Sequence, residues 1–214
     1  GGAVMLIDTA TRGVTSTMYI GDSPLGIAIT PDGDYAYVTR ASGIVSVINT
    51  ESKTVISSIP VGIQPYGVAI TPDGEYVYVT NGYGSGSVSL ISTNTNNVVS
   101  TIPVGLSPYD VAITPNGEYA YVTAYAGGGT VYVINTVTSS VASIISVGSN
   151  PYGVAITPDG EYAYVTNLNS GTVSVISTAT NTVTATITVG ISPSDVAITP
   201  DGAYAYVTNI ASHS

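Results

Sequence analysis

Short apolar runs recur along the whole chain, separated by clusters of Gly, Pro, Asn, Asp, Ser and Thr. No stretch carries the i, i+3, i+4 spacing of an amphipathic helix, and β-branched residues are dense throughout, so the pattern predicts strands. One stretch shows the plan. Gly67-Val68-Ala69-Ile70 reads as a first strand, and Thr71-Pro72-Asp73-Gly74 as a turn, with Pro fixing φ and Gly accepting positive φ. Glu75-Tyr76-Val77-Tyr78-Val79-Thr80 follows as a second strand. Its alternation places Tyr76 and Tyr78 on one face and Val77 and Val79 on the other, so both faces are apolar and both must be covered. Val88-Ser89-Leu90-Ile91 and Val98-Val99-Ser100-Thr101-Ile102 read as a third and a fourth strand.

This plan repeats. Thr-Pro-Asp-Gly-x-Tyr-x-Tyr-Val-Thr begins at Thr30, Thr71, Thr157 and Thr199, and at Thr114 with Asn116 in place of Asp. The spacings are 41, 43, 43 and 42 residues, and the wrap-around distance from Thr199 through the chain ends to Thr30 is 45. Ten of the 12 prolines occupy two fixed loop positions per unit. Pro60 and Pro103 fall in fourth strands, which marks that strand as the outer edge of its sheet. Four-stranded antiparallel units of this length are the measure of a β-propeller blade. The sequence thus predicts an all-β fold: a five-bladed propeller over residues 1–214, with units starting near 23, 64, 107, 150 and 192. The last unit holds two strands, around Val196-Ala197-Ile198 and Tyr204-Ala205-Tyr206-Val207. The N-terminal segment 1–22, around Val4-Met5-Leu6-Ile7 and Thr15–Ile20, holds the two that it lacks. The expectation is a ring closed by the N-terminal strands completing the last blade; the alternative is a stretch of a longer array.

Composition narrows the function. Lys plus Arg is 3 and Asp plus Glu is 13, for a net charge of −10. Three scattered cations cannot neutralise a nucleic-acid backbone or hold an anionic membrane surface. Cys is absent and the one His, His213, is next to last, so thiolate nucleophiles, Cys-ligated metals, iron–sulfur clusters and a His-based triad inside the fold have no residues to build them. No apolar run reaches the length of a membrane helix, no signal peptide is visible, and no Asn-x-Ser/Thr sequon occurs.

The strings Tyr78-Val79-Thr80-Asn81, Tyr164-Val165-Thr166-Asn167 and Tyr206-Val207-Thr208-Asn209, each behind a Thr-Pro-Asp-Gly turn, resemble the YVTN-family β-propeller repeat. Tyr37-Val38-Thr39-Arg40 and Tyr121-Val122-Thr123-Ala124 are variants of it, and the resemblance spans the chain. It implies a propeller of the archaeal or bacterial surface-layer type, extracellular or at the cell surface, acting without catalysis as a binding or structural scaffold. Its implied partners are other surface proteins or glycans. Similar propellers include sugar-acid lactonases and a nucleic-acid-binding periplasmic protein, so a lactonase-type hydrolase is one alternative; a lectin-like small-ligand binder with a glycan site on the loop face is the other. Many family members have seven blades, where this chain counts five units.

Candidate site residues lie where the units differ. The inter-blade loops read Pro24-Leu25-Gly26, Pro65-Tyr66-Gly67, Pro108-Tyr109-Asp110, Pro151-Tyr152-Gly153 and Pro193-Ser194-Asp195. Asp110 and Asp195 form a candidate cation site at the channel mouth, for an ion such as calcium that prefers clustered oxygens; the alternative is two solvated carboxylates. Otherwise no cofactor is expected. Tyr66, Tyr109 and Tyr152, with Tyr83 and Tyr125 nearby, are candidate ligand platforms, since Tyr joins a flat apolar body to a polar tip. For the first three the alternative is a wedge between blades. Arg40 breaks the repeat and is a candidate for an anionic ligand group, or a partner for a nearby carboxylate. Asp32, Asp73, Asp159 and Asp201 read as turn formers, and Glu75, Glu118 and Glu161 as solvent-facing. No general acid–base pair can be picked out.

Overall fold

A computed structural model describes residues 1–84 and 86–211; His213 lies outside them. The described residues form 20 strands. A hairpin of β1 (Gly2–Asp8) and β2 (Gly13–Gly21) comes first. The first blade is β3 (Pro24–Ile29), β4 (Tyr35–Arg40), β5 (Ile44–Asn49) and β6 (Thr54–Pro60). The second is β7 (Pro65–Ile70), β8 (Tyr76–Asn81), β9 (Ser87–Ser92) and β10 (Asn97–Pro103). The third is β11 (Pro108–Ile113), β12 (Tyr119–Ala124), β13 (Thr130–Asn135) and β14 (Ser140–Ser146). The fourth is β15 (Pro151–Ile156), β16 (Tyr162–Asn167), β17 (Thr172–Ser177) and β18 (Thr182–Thr188). A hairpin of β19 (Pro193–Ile198) and β20 (Ala205–Asn209) comes last. Each blade is an antiparallel meander in chain order, and the edge positions of Pro60 and Pro103 agree with the sequence.

The turns are built by the repeat itself. In the second blade, Thr71 Oγ1 donates to Asp73 Oδ1 (2.5 Å), and Tyr76 N–H donates back to Thr71 Oγ1 (3.0 Å). Glu75 N–H donates to Asp73 Oδ1 (2.9 Å), and Gly74 takes φ +75°. Equivalent bonds form at Thr30, Thr157 and Thr199. The Thr hydroxyl, first, holds the carboxyls of Asp32, Asp73, Asp159 and Asp201 below the ordinary value. These aspartates are turn formers, and Glu75, Glu118 and Glu161 face solvent.

Blades stack through two unlike faces. In the first three blades the second Tyr of the Tyr-x-Tyr points toward the following blade and packs on its Val/Ala face. Tyr37 packs with Val77 and Val79, Tyr78 with Ala120 and Val122, and Tyr121 with Ala163 and Val165. Burial raises the Tyr37, Tyr78 and Tyr121 hydroxyls to about 12. Tyr37 donates to Asn96 Oδ1 (2.7 Å) and Tyr121 to Asn181 Oδ1 (2.6 Å), both on the following blade's outer turn. At the inner end, the Thr that follows the Tyr-Val pair does two jobs. Thr80 Oγ1 accepts Gly67 N–H from its own blade (2.9 Å) and donates to the Tyr109 carbonyl of the next (2.8 Å). Thr39 does the same with Gly26 and Tyr66, and Thr123 with Asp110 and Tyr152. All three threonines are fully buried.

The expected ring closure is not formed. β1–β2 and β19–β20 remain separate two-stranded sheets at opposite ends of an open arc. The first packs on the second and third strands of the first blade, through Val4, Met18 and Ile20 against Ala36, Val38 and Ile48. The last packs on the inner strands of the fourth blade. The physical reason is that the rotation between neighbouring blades is set by the bulk of the Tyr layer against the Val/Ala layer. Counting units does not reveal it.

The threonine bond gives a direct prediction. Thr80→Val keeps shape but removes the acceptor for a buried N–H and the donor to the next blade, so it should cost about 2 kcal/mol. Thr208→Val should cost less than about 0.5 kcal/mol, because among the described residues the Thr208 hydroxyl bonds only Ser194 Oγ, on an exposed surface. Urea denaturation of both variants checks this; equal costs would contradict it.

Candidate functional site

The innermost strands of neighbouring blades run side by side, so their first residues converge on one rim. Before four of them the chain turns inward through a left-handed residue: Gln64, Ser107, Asn150 and Ser192, with φ of 51°, 54°, 56° and 56°. The loop residues that follow line a cleft of about 420 Å³, walled by Leu25, Tyr66, Tyr109, Asp110, Tyr152, Ser194, Asp195 and Ile210.

Three of the sequence-predicted tyrosines form a stack along this rim rather than wedging between sheets. Tyr66 and Tyr109 lie with ring centroids 4.8 Å apart at 25°. Tyr109 and Tyr152 are 3.7 Å apart at 34°, and their hydroxyls hydrogen-bond to each other. Tyr125 meets Tyr152 edge-on at 6.2 Å. Burial, and then the Tyr152 hydroxyl, raise the pKa of Tyr109 above its ordinary value. The stack runs across the second, third and fourth blades. Gly82 makes room for it, since a Cβ there would lie 2.5 Å from the Tyr66 ring.

The residue after each tyrosine sits where strands approach most closely. A Cβ on Gly67 would lie 2.8 Å from the Asp110 Cα, and one on Gly153 would lie 3.0 Å from the Asp195 Cα. Asp110 fits because the next blade offers Gly153. Its Oδ1 accepts Val111 N–H (2.9 Å) and its Oδ2 accepts Val154 N–H of the following blade (3.0 Å), so the carboxyl ties two blades together. Asp195 accepts its own Val196 N–H at 2.8 Å and is exposed. The two candidate cation ligands therefore share the cleft, but both oxygens of Asp110 are already committed to amides. No group of three or more His, Cys, Asp or Glu side chains comes together among the described residues.

Two predicted residues fall elsewhere. Arg40 does not face the cleft. Its Nη1 donates to the Ile20 carbonyl (2.5 Å) and lies 3.8 Å from Asp22 Oδ1, so it anchors the N-terminal hairpin to the first blade. The carboxylate reading of Arg40 is the one its position matches. Tyr83 is exposed on the β8–β9 loop, outside the cleft walls. Leu25, Ser194 and Ile210 are cleft residues that the sequence did not single out. Leu25 and Ser194 could have been found by aligning the loops, since they stand where three units have Tyr.

No model of a known protein family matches the sequence, and no curated protein matches it. Solved structures do share the fold. Hydrazine synthase of Kuenenia stuttgartiensis is similar over 97% of this chain and 86% of that chain, with a TM-score of 0.70 and 21% identity. A functionally unknown protein from Desulfotomaculum acetoxidans matches 97% of this chain and 69% of its own, at a TM-score of 0.88 and 22% identity. The β-propeller domain of Cps50 (Swd1) from Myceliophteria thermophila matches 90% of this chain and 64% of its own, at 0.77 and 12% identity. At these identities the likeness carries the β-propeller fold alone.

Asp110 makes the cleft pH-dependent. Burial raises its pKa to about 6, with the amide bonds opposing and the charge of Asp195 adding to the rise. The folded value lies above the unfolded one of about 4, so the folded chain binds this proton more tightly. The stability gained from the neutral carboxyl is full below pH ~4 and is lost as pH rises through ~6. In thermal denaturation, the stability of the wild type relative to Asp110→Gly should fall by about 2 kcal/mol from pH 4 to pH 7. A difference independent of pH would contradict this.

Proposed function

We propose that the chain is a non-catalytic propeller of the surface type, serving as a binding and structural scaffold, with the rim cleft as its ligand site. The observation that carries this reading is the tyrosine stack along a cleft walled by apolar side chains and hydroxyls. The acidic, Ser- and Thr-rich, lightly charged sequence suits an extracellular setting and neutral or surface-bound partners.

A second reading is favoured by the same stack: recognition of a neutral glycan. Aromatic faces and hydroxyl tips suit the apolar face and polar rim of a sugar ring. No Lys, Arg or His side chain lines the cleft among the described residues, so an anionic sugar acid would find carboxylates and no counter-charge. That weighs against a lactonase-type hydrolase, which must also place an acid and a base around the scissile bond.

Glycan-array screening followed by calorimetry separates these readings. A neutral oligosaccharide should bind, and Tyr152→Ala should weaken it about tenfold, the order expected for losing one aromatic platform. Turnover of sugar lactones that disappears in Asp110→Asn would contradict the non-catalytic reading. Absence of binding to every glycan would contradict the second one.

A further inference from the structure

The chain has neither Cys nor Trp, and its two methionines, Met5 and Met18, both lie in the N-terminal hairpin. Its 17 tyrosines are therefore the side chains from which a one-electron oxidant draws. Two of them, in the third and fourth blades, are placed as no other pair is among the described residues. Tyr109 and Tyr152 have ring centroids 3.7 Å apart at 34°, and their hydroxyls hydrogen-bond to each other. Contact at the ring centres together with contact at the oxygens also brings together the ring carbons that flank each hydroxyl. The neighbouring pairs lack this arrangement. Tyr66 and Tyr109 are 4.8 Å apart, and the Tyr66 hydroxyl turns to Gln64 Oε1 (3.5 Å). Tyr125 meets Tyr152 edge-on at 6.2 Å.

The backbone holds the pair in place. The Tyr109 carbonyl accepts from Thr80 Oγ1 (2.8 Å) and the Tyr152 carbonyl from Thr123 Oγ1 (2.7 Å), and both threonines are fully buried. One residue further on, Asp110 Oδ2 accepts Val154 N–H (3.0 Å), so the two strands that carry the rings are tied beside the rings. Tyr66 stacks on Tyr109 from the second blade and keeps that ring from swinging away. Both rings are half-buried in the wall of the rim cleft, fixed in position yet open to solvent. Two groups held in contact react with each other far faster than with groups on other molecules.

We propose that Tyr109 and Tyr152 form an oxidative cross-linking site, at which a haem peroxidase using hydrogen peroxide joins the rings by a carbon–carbon bond between the positions beside their hydroxyls. Each phenol gives up one electron and its hydroxyl proton. The two radicals couple at those carbons, and the hydrogen on each coupled carbon moves to its own oxygen, which restores both phenols. The chain loses two hydrogen atoms and one peroxide becomes two waters. The link ties the third blade to the fourth across 43 residues of chain, so it restrains the unfolded state as a disulfide would in a sequence that has no Cys. This goes beyond the scaffold reading and holds whatever ligand the cleft takes.

Peroxidase and hydrogen peroxide applied to the 214-residue chain at low concentration test the proposal, with cleavage after Glu and mass spectrometry of the monomer. Cuts at Glu75, Glu118 and Glu161 place Tyr109 in the fragment 76–118 and Tyr152 in the fragment 119–161. The two fragments should be recovered joined, lighter by two hydrogens than their sum, and fluorescent as dityrosine. Tyr109→Phe and Tyr152→Phe keep the rings and remove one hydroxyl each. Either should fold, as followed by circular dichroism, and give at least about tenfold less joined product. Tyr125→Phe, in the same fragment as Tyr152, should leave the yield unchanged. A wild-type monomer whose fragments stay separate would overturn the proposal. So would joined product formed as well by a folded Tyr109→Phe or Tyr152→Phe chain as by the wild type.

Discussion

In each of the first three blades one hydroxyl couples the sheet to the next. The threonine at the end of the second strand accepts an amide N–H from its own innermost strand and donates to the carbonyl that opens the next innermost strand. A blade of this composition cannot stand alone, because its Tyr face and its Val face both need cover. The apolar layers supply the cover but are non-directional. The threonine bond is directional and fully buried, so it fixes how far one blade may slide past the next. Tyr37 with Asn96 and Tyr121 with Asn181 fix the outer ends in the same way.

The candidate site is a consequence of that coupling. The carbonyls held by Thr39, Thr80 and Thr123 belong to Tyr66, Tyr109 and Tyr152, so the bond that sets the blade spacing also sets the spacing of the three rings. The neighbouring position must be small where strands approach, which is why Gly67 and Gly153 stand there. A carboxylate is accommodated only where the next blade offers an amide and a glycine, as Val154 and Gly153 do for Asp110. Where no following blade is in place, Asp195 and Thr208 are left at the surface with Tyr206.

Much of the architecture was legible because it is periodic. The Thr-Pro-Asp-Gly turn, the Tyr-x-Tyr alternation and the edge prolines all declare themselves through local chemistry. The strands exceed their apolar runs by a residue or two, as when Pro65 pairs with Asn81 at the start of β7. What was not legible depends on contacts between distant residues. The second bond of Thr80 reaches 29 residues ahead, and nothing near Thr80 hints at it. The stacking of Tyr109 on Tyr152 depends on a blade spacing that spelling does not contain. Arg40 stood out as an irregularity, but its partner is the carbonyl of Ile20, a group that every residue carries. Whether the ring closes is not legible for the same reason, since the number of units leaves the angle between them open.

Native-state hydrogen exchange at single-residue resolution tests the coupling most directly. The account predicts that the amides of Gly67, Asp110 and Gly153, each donating to a threonine hydroxyl, exchange only through global unfolding. The amides of the β1–β2 and β19–β20 hairpins should exchange faster, by local opening. Equal protection in the terminal hairpins and the interior blades, or fast exchange at Gly67, Asp110 and Gly153, would contradict it.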